Sequence, residues 1–305
     1  MNLNLRNHIL LILGLTTLVP SLAVAGVPPL FQHTLKVSLG DPVVLDIAIA
    51  SADITVAYSH EGQVSVYSYV KEDDGDLAPK DLVDSTLRIE QVENHVTVRD
   101  ANLSHPKAPR ILYRFDVPRG TVLNSTISGS GKQAVLGIYG PITITSGSGD
   151  IEGTWIRGGL FKASTGRGKI TLKHAESGVD VETRSGSINM TNCGPSIAAV
   201  RQGIGTIEIA AAQGSVKAST DKGQIHIKAE NWDDWDLKSA SGHIRIELPP
   251  RAKFDADVST DSGEILIERT DMEKPDESTR QYHQKVNGGG KRIQVRSDEG
   301  GISIE

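Results

Sequence analysis

The chain has 305 residues, with 32 basic against 38 acidic side chains and a net charge of −6. That balance argues against a nucleic-acid binder, which needs a basic face to neutralise phosphates. A single cysteine excludes an internal disulfide or a cysteine-built zinc cage. The 31 glycines do not recur at every third position, so collagen is excluded as well.

Residues 1–25 read as a cleavable secretory signal. Arg6 and His8 precede an apolar run from Ile9, and Ala23-Val24-Ala25 supplies the small side chains a signal peptidase requires. Pro20 and Ser21 interrupt a run already short for a span of ~20 residues. The expectation is export to the periplasm or the exterior, a mature chain starting near Gly26, and no integral span after cleavage. Cys193 lies too far from this site to carry a lipid there.

Residues 26–125 form an irregular β section. Ala52-Asp53-Ile54-Thr55-Val56 is a degenerate repeat unit, and Gln63 to Tyr69 and Ser85 to Arg99 alternate as strands around a polar loop, Lys71–Asp84. Tyr113 to Gly120 reads as a strand entering more regular structure. This section is expected to cap one end of the molecule, with a separately folding domain as the alternative.

From residue 126 onward a unit of the form Gly-x-Ile-x-Ile dominates. Its glycines stand at 131, 149, 168, 186, 205, 223, 242, 263 and 300. The first seven steps are 18, 19, 18, 19, 18, 19 and 21 residues, a period of roughly 19. Two positions after glycine come Ile151, Ile170, Ile188, Ile207, Ile225, Ile244, Ile265 and Ile302, with polar residues between the apolar ones. This period-two alternation marks a half-buried strand. A second strand precedes each glycine, and a Ser, Thr or Gln stands three positions before it. Seven positions after glycine, Ile138, Ile156, Ala175, Cys193 and Ala212 mark a third inward point.

One unit has too few apolar side chains to form a core, so equivalent units must stack. The predicted fold is all-β: a parallel right-handed β-solenoid with roughly 19-residue coils. About ten coils at ~4.8 Å would make a rod of roughly 45–50 Å. A meander of antiparallel hairpins is the alternative. The regular repeats occupy 126–305, with a polar insertion near 269–292. The chain reaches Glu305 just after Ile302 and Ile304. That arrangement predicts an edge strand through which copies could self-associate.

GSGDIEG at 147–153, STGRGKITL at 164–172, LPPRAKFDADVSTDSGEILI at 248–267 and GGGKRIQVRSDEGGISIE at 288–305 resemble a bacterial putative-adhesin family. The similarity covers roughly residues 40–305. It implies a solenoid-like fold, an exported protein and an adhesive or envelope role, in a domain of unknown function. It supplies no catalytic residues. Lys169, Ser187, Thr206, Gln224, His243 and Glu264 depart from the motif aspartate seen at Asp150.

Those replacements favour a solvent-facing corner over a calcium ladder, which needs six to eight oxygen ligands. His174, His226 and His243 show no metal-ligand pairing in sequence. Cys193 stands where other units carry Ile or Ala, which reads as a buried small side chain. Ser146-Gly147-Ser148-Gly149 is a corner, since no Gly-Lys-Ser/Thr follows it. The candidate ligand contact is Trp232, Asp233 and Asp234, an aromatic face beside two acceptors, able to meet a sugar ring or a cationic peptide. No catalytic residue, metal ligand or cofactor is assigned. The expected function is noncatalytic binding or structural support through a solenoid face, with an envelope glycan or protein as partner. The alternatives are a polysaccharide-active β-helix enzyme and an envelope sensor.

Overall fold

In a computed structural model, residues 29, 31–38, 40–70, 87–100 and 111–305 are described. The signal-like segment 1–25 and the polar loop 71–84 lie outside them. All regular structure among the described residues is β. The strands of the first section are β1 (Phe31–Lys36), β2 (Val44–Ile49), β3 (Asp53–Tyr58), β4 (Gln63–Val70), β5 (Leu87–Val92), β6 (His95–Asp100) and β7 (Ile111–Val117). Then come β8 (Val122–Ser130), β9 (Gln133–Leu136), β10 (Ile142–Ser148), β11 (Ile151–Ile156), β12 (Phe161–Thr165), β13 (Ile170–Ala175), β14 (Val179–Ser185) and β15 (Ile188–Cys193). Next are β16 (Ser196–Ile204), β17 (Ile207–Lys222), β18 (Ile225–Ser241), β19 (Ile244–Glu247) and β20 (Phe254–Thr260). The last are β21 (Ile265–Ile267), β22 (Gln281–Val286), β23 (Lys291–Ser297) and β24 (Ile302–Ile304).

These strands build two parallel ladders whose inner faces share one solenoid-like core. Glycine-aligned residues are direct neighbours: Ile151 pairs with Ile170, Ile170 with Ile188, Ile188 with Ile207, Ile207 with Ile225 and Ile225 with Ile244. All six are fully buried. Each such isoleucine contributes about 1.5–3 kcal/mol of burial. In the other ladder Ile142 pairs with Phe161, and Phe161 with Val179. The antiparallel alternative does not hold, because these neighbours run in parallel. Antiparallel pairs occur at the two ends of the stack: β5 on β6, β1 on β4, β4 on β7, and β22 on β20.

Local departures from the repeat have packing causes. Gly153 occupies an apolar column, and a Cβ there would sit 2.7 Å from a Leu172 methyl and 3.1 Å from the Phe161 ring. Phe161 fills the space that the glycine leaves. Gln133 stands in the isoleucine column but is fully satisfied. It accepts from Ser125 Oγ at 2.6 Å and donates to the Thr145 carbonyl at 2.9 Å. In β16 a register shift places Ile197 against Val179 and Val216.

The corner glycines are fixed by backbone contact. Gly149, Gly168, Gly186, Gly223 and Gly242 have φ between +143° and +152°. A Cβ on Gly168 would lie 2.2 Å from the Gly149 carbonyl oxygen, and one on Gly223 only 1.6 Å from that of Gly205. Thr165 and Thr183, three positions before their glycines, donate to the carbonyls of Gly149 and Gly168 at 3.1 and 3.2 Å. Asp150 accepts the Lys169 backbone N–H of the next rung at 2.8 Å, so the motif aspartate stitches the corner.

Chain order and spatial order part at both ends. β2 lies between β6 and β8, and β3 between β7 and β9, so the earliest rung is interior. At the other end, β23 is inserted between β18 and β20. β24 is likewise inserted between β19 and β21. This corrects the expected C-terminal edge: Ile302 pairs with Ile244 on one side and Ile265 on the other, leaving β24 no free edge for self-association. The polar segment near 269–292 packs on the end of the core, where β22 pairs with β20. Arg269 is 7% exposed, and its guanidinium reaches the carbonyls of Leu248 and Pro249 at 3.2 and 3.3 Å. Met272, Tyr282 and Val286 join the same apolar cluster.

Two substitutions test parity and corner geometry. Ile207→Asp buries an unpaired charge and is expected to cost roughly 3 kcal/mol or more, whereas Glu208→Lys on the outer face should stay within about 0.5 kcal/mol. Equal melting losses would refute the assigned faces. Gly223→Ala should destabilise by more than about 1 kcal/mol, since its methyl group meets backbone. Gly120→Ala, with nothing within 4 Å of the added carbon, should melt close to the native protein.

Candidate functional site

The corner at 232–234 joins the two halves of β18. Trp232 stands opposite Gly214, and Trp235 opposite Val216. Trp235 is buried, and its indole N–H donates to the Gly214 carbonyl at 3.1 Å. Trp232 is half-buried against the core, with its indole nitrogen buried and lacking a hydrogen-bond partner among the described residues. Asp233 pairs with Lys291 at 2.7 Å and accepts the Asp234 backbone N–H at 2.9 Å. The Lys291 hydrogen bond, helped by that N–H, holds the Asp233 carboxyl below its usual range. Asp234 accepts the Arg292 backbone N–H at 2.8 Å. The three predicted contacts therefore share one corner, and both acids grip the start of β23. Asp234 also lines a shallow depression of about 230 Å³ with Trp235, Lys217 and Arg292.

A second region lies on the outer wall, where His226, Arg245, Ser303 and Leu266 align across rungs. Glu247 collects His226 at 2.8 Å, Lys228 at 3.4 Å and Arg245 at 3.4 Å. Arg245 also meets Glu305 at 2.6 Å. His243 hydrogen-bonds Ser303 at 3.0 Å. Ser303 is 4% exposed, which shields its hydroxyl from a bulky substrate. A depression of about 360 Å³ runs across this wall.

The hydrogen bond from His226 lowers the Glu247 carboxyl pKa against the opposing effect of burial, with Lys228 adding to the lowering. A carboxyl depressed on folding stabilises the native state above its unfolded pKa, and that contribution is lost as pH falls through the folded value. The native protein should therefore lose melting temperature as pH falls from about 5 toward 3. Glu247→Gln should flatten part of that slope. An unchanged slope in thermal scans would contradict the assignment.

A third region was not singled out in the sequence. Gly137, Trp155, His174, Asn192 and Ala211 each stand six positions after a repeat glycine, and all have left-handed backbone, with φ of 70°, 58°, 56°, 53° and 53°. A bulky residue there is an outlier, at a cost of order 1–3 kcal/mol. Trp155 is 46% exposed. Its ring lies flat on His174, with centroids 4.1 Å apart and planes 5° from parallel. Two positions further along the corner, the Arg119 guanidinium rests 4.6 Å from the Tyr139 ring centroid and 4.5 Å from that of Tyr58. Aligning the units on glycine and reading the sixth column would have exposed this tryptophan. Cys193, one residue beyond that column, is fully buried, and burial pushes its thiol pKa up, which keeps it an unreactive thiol.

A search of the curated proteins found no match. Among solved structures, a putative lipid binding protein from Parabacteroides distasonis ATCC 8503 aligns at 13% identity and a TM-score of 0.44, over 90% of this chain and 96% of that one. A putative adhesin from Bacteroides fragilis NCTC 9343 aligns at 13% identity and a TM-score of 0.39, with the same coverages. A putative cell adhesion protein from Clostridium sporogenes ATCC 15579 aligns at 9% identity and a TM-score of 0.25, over 91% and 99%. The sequence profile described as Toastrack DUF4097 matches residues 44–305, in which the Gly-x-Ile-x-Ile rungs lie. With that match spanning most of its length, the chain belongs to the Toastrack DUF4097 family.

Proposed function

We propose that this is a noncatalytic binding protein of the cell envelope, exported by residues 1–25 to the periplasm or beyond. A right-handed wall of roughly 19-residue coils engages an envelope glycan or protein. The irregular section at 26–125 is the cap of the same body. The observation that carries this reading is how the outward ionisable groups are used. Asp46 pairs with His95, Glu247 with His226, Lys228 and Arg245, Asp257 with His283 and Arg292, and Asp233 with Lys291. Acids already tied to neighbouring rungs stiffen a wall and are poor candidates for general acid or base. Trp232, beside Asp233 and Asp234, is one contact point on this wall.

The test incubates the chain lacking residues 1–25 with washed, insoluble envelope material. Native protein should co-sediment saturably, and no sugar reducing ends should appear in the supernatant. Catalytic release of reducing ends overturns the reading, as does a native protein that stays wholly in solution.

A further inference from the structure

We infer that the Trp155–His174 corner is a binding site for an acidic sugar residue of a glycan, deepening the reading of an envelope-binding protein on which it rests. The scaffold does not ask for a tryptophan here. The same column accepts Gly137, Asn192 and Ala211, and glycine and asparagine suit left-handed backbone better than any aromatic residue does. An indole kept in a strained, half-exposed position, with no packing demand for it, points to a role outside the fold.

The two faces of that indole differ. One is backed by His174 at 4.1 Å, which fixes the ring plane. The other faces the rung of β9, whose residue in the same register is Gly137, with no side chain. Tyr58 stands in the same column one rung further on. Rungs repeat at about 4.8 Å, so the gap over Gly137 separates Tyr58 and Trp155 by roughly 9–10 Å of backbone. A pyranose can lay its apolar C–H face on an indole within such a gap.

The charge nearby sets the class of sugar. Arg119 lies on the rings of Tyr58 and Tyr139, and no carboxylate pairs with it among the described residues. Arg157 of the same corner is neutralised by Glu176 at 2.5 Å. One unneutralised guanidinium beside a stacking surface suits a ring bearing a carboxylate, with bidentate contact to the fork. It disfavours a cationic peptide.

The experiment titrates the chain lacking residues 1–25 with a galacturonic acid hexamer, a chitohexaose and a lysine hexapeptide, read by calorimetry and tryptophan fluorescence. The acidic hexamer should bind best and perturb the emission. Trp155→Asn should weaken binding at least tenfold while melting at or above the native temperature, because Asn192 already occupies this column. Trp155→Gly, matching Gly137, is the second variant should asparagine disturb folding. Arg119→Gln should abolish the preference for the acidic over the neutral hexamer. Equal affinity of native and Trp155→Asn proteins, absence of binding by the acidic hexamer, or preference for the lysine peptide overturns the site. Co-sedimentation with envelope material that survives Trp155→Asn overturns the site alone and leaves the broader reading standing, whereas hydrolysis of either sugar overturns the broader reading.

Discussion

Backbone-to-backbone contact at the glycine corner is the constraint on which this molecule depends. Gly149, Gly168, Gly186, Gly223 and Gly242 each sit against the carbonyl of the glycine one rung away, at a distance no Cβ could share. That contact sets the register of both ladders at once. With the corners locked, a side chain two residues on has no choice but to lie on its counterpart, and a column of isoleucines becomes the core. The hydroxyls of Thr165, Thr183, Thr260 and Ser297, three positions before their glycines, then bond to carbonyls that the tight corner turns away from the strands.

The column of isoleucines was legible because burial demands the same residue type at every turn. The corner aspartate was legible as structural too, and the bond from Asp150 to the Lys169 N–H gives its reason. Even the degenerate unit at Ala52 behaves as read, with Gly131 crowding the Ala52 carbonyl as it would a glycine's. The order of the rungs was not legible. A period states which residues align within a coil, and it is silent on which coil lies next to which. The 37-residue step from Gly263 to Gly300 therefore read only as a polar insertion, with no sign that its ends lie in adjacent rungs.

The site was legible only in fragments. Trp232, Asp233 and Asp234 stood out as an aromatic face beside two acceptors, but the groups that engage Asp233 and Asp234 come from Lys291 and Arg292, on a strand inserted from far along the chain. No spacing rule connects the two. Trp155 escaped notice for a different reason. Its column is defined by a backbone conformation, not by burial, so hydrophobic patterning passes over it. Only the company of Gly137 and Asn192 reveals that a tryptophan there is out of place.

The interleaving of rungs has a mechanical consequence. In a simple stack the terminal strand unzips, since its hydrogen bonds rupture one after another from a free side. Here β24 is gripped by β19 and β21 together, and Arg269 clasps the carbonyl of Glu305 as well. Tension drawn through the last residues must slide a strand out lengthwise from between two others, loading both sets of bonds in shear. Such a splice resists fraying under traction, a useful property for any body that has to hold on to something while being tugged.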